Sequence, residues 1–367
     1  MKTVNYKFEQ LKTEYDLSLL ADPQKMLFLD IETTGLSPKT ASIYLIGACF
    51  NQNGTWNAIQ WFADTSDGEA EILEAFFNFA SNYTTLVHFN GNQFDLPFIL
   101  GRCDYLGLNY SFDAFEGIDI YRRIAPCRHF LQLPNCKQTS IEKFLHLERE
   151  DVYSGGELIS IYKEYLKKPS SRSEHLLLLH NKEDLKGMLE ILPILSYDDM
   201  FNKPVRATKV QANYYRDLNG KKQQELVIRL KLTSPVPVPL SYHANDCYVT
   251  AEGNLAALRV PVYTEELKYF YSNYKEYYYL PLEDVAMHKS VAAFVDKEHR
   301  IPATAATCYT RKYSSYLPMW DYVLEPFFRR EHKSSLLFFE LTDEFKTDRD
   351  SFSKYASHVL EMLGKSH

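Results

Sequence analysis

Residues 26–29 are an apolar run that reads as a buried strand, and the run ends in Asp30 and Glu32, two carboxylates one residue apart. Alternation along a strand puts both side chains on one face. After a turn at residues 35–38, residues 43–50 have the composition of a second strand. The Asn53-Gly54 pair then makes a hairpin turn into residues 55–62, so three strands in series form an antiparallel meander. Residues 67–80 have helical spacing, with Ile72, Ala75, Phe76 and Phe79 on the apolar stripe. Residues 84–89 read as a fourth strand, which the helical crossover sets parallel to the first. The chain then turns through residues 90–97 into a helix ending near Gly107. A short strand and helix between Phe115 and Ile124 complete an α/β unit, a mixed five-stranded sheet flanked by helices.

From Thr139 to Met200 the pattern is helical, with elements at residues 140–147, 156–168 and about 174–197, and residues 201–204 interrupt it as a linker. Beyond residue 205 short β-like runs take over, at residues 226–233, 247–250 and 255–260. Residues 286–296 read as a helix, and residues 335–341 as a strand or a buried helix. This half holds 16 of the 27 tyrosines. The pattern divides the chain into a polar leader at 1–25, an α/β domain at 26–203 and a Tyr-rich α+β domain at 204–367.

With 367 residues, 45% hydrophobic and 24% charged, the chain has the make-up of a globular protein of two domains. No stretch is apolar enough to span a membrane, and the charged N-terminus lacks a signal-peptide core, which places the protein in the cytoplasm. Cys49, Cys103, Cys127, Cys136, Cys247 and Cys308 include no Cys-x-x-Cys pair, which argues against a zinc site or a disulfide framework. The net charge of −7 hides an asymmetry: residues 1–204 carry 19 Lys and Arg against 28 Asp and Glu, and residues 205–367 carry 22 against 20. The acidic part suits a domain rich in metal-binding carboxylates, and the more basic part suits contact with an anionic substrate.

Asp30 and Glu32 at the mouth of a buried strand repel each other and lose hydration, which calls for a cation; the alternative is a strand end where Asp30 caps and Glu32 is solvated. Asp95 either caps the helix that has Pro97 just inside its start or adds a further oxygen ligand. Asp184 has His180 four residues earlier on the same helical face, as a solvated pair or as part of a site. Together these groups have a chemical logic. Opening a phosphodiester requires a hydroxide nucleophile, neutralisation of charge on the phosphorus oxygens and stabilisation of the leaving alkoxide, which two Mg²⁺ or Mn²⁺ ions roughly 3.5–4 Å apart supply. Asp30, Glu32, Asp95 and Asp184 are four hard oxygen ligands for them. His180 is placed to orient or deprotonate the attacking water.

The segments Phe28-Leu-Asp-Ile-Glu-Thr-Thr-Gly35, Phe89-Asn-Gly-Asn-Gln-Phe-Asp95 and His180-Asn-Lys-Glu-Asp184 resemble, in order, the three exonuclease motifs of the DEDD branch of the ribonuclease-H-like superfamily. Bacterial ribonuclease-H-like proteins of the YprB type are the nearest in appearance, and Asp119-Ile-Tyr-Arg, Gln138-Thr-Ser-Ile-Glu-Lys-Phe and Ser154-Gly-Gly-Glu-Leu are also similar to that group. The resemblance covers roughly residues 25–200. It implies metal-dependent removal of nucleotides from a 3′ end of DNA or RNA, with Asp30, Glu32, Asp95 and Asp184 as ligands. It further implies that Thr33, Thr34 and Leu36 touch the terminal nucleotide and that Asn90 and Phe94 are substrate-side residues. One departure stands out. The histidine branch of the family has its general base five residues before the last Asp, here Leu179, whereas the tyrosine branch has Tyr four before it, here His180.

Asp119 is either an auxiliary acid near the metals or a helix cap. Arg122, Arg123, Arg128, His129 and Lys137 either contact phosphates or form a solvated face. In the second half, tyrosines interleaved with Lys268, Lys275 and Arg311 either stack on single-stranded nucleic acid or pack a β-rich core. Two functional readings stand: a 3′→5′ exonuclease, and a catalytically weak module that binds nucleic acid or a protein partner through residues 205–367.

Overall fold

The apolar run that starts at Met26 builds a central strand of the first unit. In the computed structural model, which describes residues 1–9, 11–151, 153–216 and 219–365, the chain divides into two compact units, Met1–Asp198 and Asp199–His367. The first unit runs β1 (Lys2–Phe8), β2 (Met26–Thr33), β3 (Ile43–Gln52), β4 (Thr55–Phe62), α1 (Glu69–Ala80), β5 (Thr85–His88), α2 (Asp95–Leu106), β6 (Glu116–Asp119), α3 (Ile120–Ile124), α4 (Gln138–Phe144), α5 (Gly155–Lys167) and α6 (Ser171–Glu190). Helix α7 (Leu195–Asn202) follows after a short 3₁₀ turn.

The sheet order is β1-β4-β3-β2-β5-β6. The meander β2-β3-β4 is antiparallel, and β5 lies parallel to β2 with β6 parallel to β5. The expected five strands are present, and the count rises to six. Lys2–Phe8, read above as polar leader, pairs antiparallel with β4 from Lys2↔Phe62 to Phe8↔Trp56. Its alternating half-buried and exposed positions are those of an edge strand.

Leu27, Leu29 and Ile31 point into a core shared with α1 and α2, where Ile72, Leu73, Phe76, Phe77, Phe98 and Ile99 are buried. The stripe on α1 is thus centred on Ile72, Leu73, Phe76, Phe77 and Ala80, with Ala75 and Phe79 at its half-buried margin. Across the sheet Tyr44, Leu45 and Phe62 pack against Leu158, Tyr162 and Tyr165 of α5 and Leu177 of α6. At the start of α1, Glu69 is buried with Arg102 of α2 in a two-pronged ion pair, Nε–Oε1 2.8 Å and Nη2–Oε2 2.6 Å, and also accepts the Ile43 N–H at 2.7 Å. That pair pins α1 and α2 to the turn between β2 and β3.

The second unit is β-rich: a sheet of β7 (Arg206–Arg216), β8 (Lys222–Ala244) and β9 (Cys247–Pro261); β10 (Tyr263–Phe270); β11 (Tyr277–Leu280); β12 (Val285–His288); α8 (Lys289–Ala292); β13 (Ile301–Pro302); β14 (Tyr309–Met319); β15 (Phe327–Phe328); β16 (Leu337–Glu340); α9 (Asp343–Thr347); and α10 (Arg349–Lys365). Residues 286–296, expected as one helix, hold the end of β12 and only the four helical residues of α8, because β12 is drawn into a ladder with the Tyr-rich β11. Residues 335–341 resolve as the strand β16. All six cysteines are free and buried.

Candidate functional site

The β2 alternation that buries Phe28 carries Asp30 and Glu32 onto the face covered by α6. Asp30 pairs in register with Gly47 of β3 and Glu32 with Leu45, and the register shifts between Glu32 and Thr33, a local irregularity of the kind that re-aims side chains at sheet ends. Gly47 matters because a Cβ there would lie 1.9 Å from Asn181 Oδ1. In the space it leaves, buried Asn181 reaches the strand: its Nδ2 donates to Asp30 Oδ2 at 2.7 Å, and its Oδ1 accepts from Gln60 Nε2 at 2.7 Å. Gln60 in turn donates to the Leu178 carbonyl at 2.9 Å, tying β4, α6 and Asp30 into one chain of hydrogen bonds.

Glu32 is buried, with the Tyr44 hydroxyl 3.4 Å from Oε2 and His180 Nε2 3.6 Å from Oε1. The same His180 nitrogen lies 3.3 Å from Asp184 Oδ2, one turn along α6. On its other side His180 Nδ1 meets Asp151 Oδ2 at 2.6 Å. With the Nδ1 proton donated to Asp151, Nε2 is the nitrogen left to face the two site carboxylates. One atom each of Glu32, His180 and Asp184 come within 4.8 Å of one another, a donor set of metal-binding size. Arg149 closes this corner: its Nη1 is 2.7 Å from Asp184 Oδ1 and its Nη2 3.4 Å from Asp151 Oδ2.

Asp95 is the first residue of α2, and the cap position before it, Phe94, makes no side-chain cap bond. Strand β5 pairs with β2 only as far as Phe28↔Val87, and beyond that end the Asp95 carboxylate takes the Ile31 N–H together with its own backbone N–H. The fourth carboxylate thus reaches β2 from the opposite side to α6.

The electrostatics describe an overcharged pocket. Burial first, then the charges of Asp184, Glu32 and Asp95, push Asp30 well above the usual carboxylate range, against the Asn181 hydrogen bond. Burial and the Asp184 charge likewise push Glu32 well up, against the Tyr44 hydroxyl. Burial raises Asp95 to about 7 although two backbone N–H groups oppose it. Burial works against the charge on Arg149, but Asp184, Glu142 and Asp151 outweigh it and hold the guanidinium more firmly charged than usual. Four carboxylates with one guanidinium are the donor chemistry of a hard divalent cation site, and the residues present fit such ions.

The residues expected on the substrate side separate. Thr33 is buried and donates to the Gly35 carbonyl at 2.7 Å, Thr34 bonds with Ser42 across the turn, and Phe94 packs against Phe98 with ring centroids 5.4 Å apart. Leu36 is 86% exposed beside them. Asn90 adopts φ +61° at the end of β5, and its buried Oδ1 has no partner. Asp119 acts as a cap and loop anchor, accepting N–H groups from Arg122 at 3.4 Å, Asn90 at 2.9 Å and Asn92 at 3.3 Å. The basic cluster also divides. Arg123 pairs with Asp198 at 2.6 Å and Arg128 donates to the carbonyls of Leu133 and Pro134, whereas Lys137 borders a cavity beside Asp184.

Gln60, Gly47, Asn181, Arg149 and Asp151 escaped the sequence reading. Asn181 adjoins His180 and was open to a helical-face argument; the other four lie on β3, on β4 and in the charged run 148–151, and these three segments meet only in the fold.

Residues 27–195 match the family described as RNase_H superfamily, so the first unit holds a ribonuclease-H-like α/β domain. A 43-residue stretch, 11% of this chain and 2% of its counterpart, is 46% identical to a DNA polymerase of Ostreid herpesvirus 1 (isolate France). Among solved structures, the family B DNA polymerase of the hyperthermophilic archaeon Pyrobaculum calidifontis aligns with a TM-score of 0.39 and 12% identity, over 71% of this chain and 37% of that one. The zinc-bound E. coli ExoI–ssDNA complex aligns with a TM-score of 0.26 and 13% identity, over 57% and 55%. The chain therefore spans a small part to about half of the length of these proteins.

Proposed function

We propose that this protein is a metal-dependent nuclease that hydrolyses phosphodiester bonds of DNA or RNA, working as an exonuclease from the 3′ end. The observation that carries the reading is the convergence of Asp30, Glu32, Asp95 and Asp184 with His180, a carboxylate cluster in which burial first, and then the neighbouring carboxylate charges, raise Asp30 and Glu32 well above the usual range. Those four side chains would hold two Mg²⁺ or Mn²⁺ ions, which supply neutralisation of charge on the phosphate oxygens and on the leaving alkoxide. His180, held through Nδ1 by Asp151, presents Nε2 to take the proton of the attacking water. Asn181 fixes Oδ2 of Asp30 and so holds that carboxylate in one orientation. Leu36 offers exposed apolar surface to the terminal base, and Thr33, Thr34 and Phe94 hold the turn and helix start that present it; Asn90, at the end of β5, is the remaining substrate-side residue.

One observation favours the second reading, a module that binds nucleic acid without cleaving it: the Arg149 guanidinium already neutralises Asp184 at 2.7 Å. A 5′-labelled single strand of DNA or of RNA, incubated with Mn²⁺, Mg²⁺ or chelator, separates the two. A ladder shortened from the 3′ end with metal, and lost with chelator and in Asp30→Ala, is the expected result. Cleavage that persists in chelator or in Asp30→Ala removes the assignment to this site, and binding without cleavage in every metal selects the second reading.

A further inference from the structure

On the far side of His180 and Asp184 from β2 lies a cavity of about 630 Å³, walled by α4, the segment leading into α5, and α6. This volume falls in the roughly 300–1,000 Å³ range of small-molecule pockets, room for about one nucleotide and too little for a duplex end. Its floor is acidic but internally satisfied. Glu142 Oε1 accepts from Gln138 Nε2 at 3.0 Å and lies 3.5 Å from Arg149; Asp151 Oδ1 accepts the Tyr153 N–H at 3.2 Å while Oδ2 meets His180; Asp184 meets Arg149. Its rim is different. Lys137 and Lys143 are exposed on α4 and its approach, and among the described residues neither ammonium has a hydrogen-bond or ion-pair partner. The helix start at Gly155 adds no anion site of its own, because the Glu157 carboxylate already takes the N–H and hydroxyl of Ser154.

His180 and Asp184 belong both to this cavity and to the carboxylate cluster, so a polymer with its scissile phosphate at the cluster has a neighbouring nucleotide within reach of the cavity. We propose, resting on the nuclease reading, that the cavity between α4 and α6 is a subsite for the nucleotide adjoining the scissile bond of a single-stranded polynucleotide, with Lys137 and Lys143 as its backbone-phosphate contacts. Tyr153 and Leu147 supply the apolar wall for its base or sugar. Two lysines without a partner among the described residues give attraction without base readout, so the subsite does not select sequences.

The test compares the wild type with Lys137→Gln/Lys143→Gln on two substrates in Mn²⁺: a 12-nucleotide single strand, and the p-nitrophenyl ester of thymidine 5′-phosphate, which has no neighbouring nucleotide. Loss of two phosphate contacts should raise the KM of the oligomer roughly 25-fold at 0.1 M salt and flatten its log–log salt dependence by about 1.4. Ester hydrolysis should be unchanged. Fluorescence anisotropy of the labelled oligomer, read in parallel, keeps the subsite separable from catalysis. If the wild type cleaves neither substrate yet the double variant loses affinity with the flatter slope, the nuclease reading falls and the subsite stands. Unchanged oligomer affinity and salt slope in the double variant overturn the subsite, whatever the cleavage result.

Discussion

Replacing Asp95 with Asn should stabilise the metal-free protein, and the gain should grow with pH. Burial raises the Asp95 carboxyl from 3.8 to about 7 in the fold. A raised folded-state pKa means that the native protein keeps this proton when the unfolded chain has lost it. Stability is therefore full below about pH 4 and falls as pH climbs to about 7. An interval of about three pH units at about 1.4 kcal/mol each amounts to about 4 kcal/mol, an upper value that local relaxation reduces. Asn has no proton to lose and keeps a carbonyl oxygen for the Ile31 N–H. Urea unfolding in EDTA, followed by fluorescence in a Trp320→Phe background so that Trp56 and Trp61 report the first unit alone, is the assay. The variant should exceed its parent by about 2 to 4 kcal/mol at pH 8 and by no more than about 1.5 kcal/mol at pH 5. Saturating Mn²⁺ at pH 8 should reverse the order, because only the parent keeps all four carboxylates. Equal stabilities at pH 8 in EDTA, or a less stable variant, would refute the view that burial holds the ionised Asp95 carboxylate at a cost to the fold.

Asn181→Leu removes the hydrogen bond that orients Asp30 without touching a carboxylate; Mn²⁺ affinity by calorimetry should fall about 10- to 100-fold, the usual effect of losing a partner that orients a ligand. Gly47→Ala sets a methyl against Asn181 Oδ1 and should cost about 1–3 kcal/mol in urea unfolding together with the same loss of metal affinity. Arg102→Met strands the buried Glu69 carboxylate and should destabilise the first unit by about 3–5 kcal/mol while leaving the geometry of the cluster to be read by metal binding in the folded fraction.

Strand alternation and ordered motifs made the β2 carboxylates, the α6 pair and the parallel β5 legible, because each depends on spacing within one element. What stayed hidden depends on contacts between elements. Gln60 looks like any polar residue on a strand until α6 lies over it, and Asp151 sits in a charged run, 148–151, that reads as solvent-facing. Lys2–Phe8 did carry a period of two in Val4, Tyr6 and Phe8, but seven residues rich in Lys, Thr and Asn give too weak a signal without the β4 edge to pair with. In the second unit, Pro235, Pro237 and Pro239 argue against a strand, yet β8 runs through them. The fold accommodates them by breaking the β8–β9 register between Lys231 and Leu240, where missing N–H groups cost least.

The pairing of Lys2–Phe8 with Thr55–Phe62 also sets where this protein can be cut. A fragment begun at Met26, the first residue of the motif-bearing strand, would keep every carboxylate of the cluster and would strip the outer margin of the sheet. The uncovered backbone of β4, flanked by Trp56, Trp61 and Phe62, would then be free to recruit a second chain. Such a truncation should aggregate while the same domain with its first eight residues stays dispersed, so the minimal working unit is defined by its sheet edge and not by its chemistry.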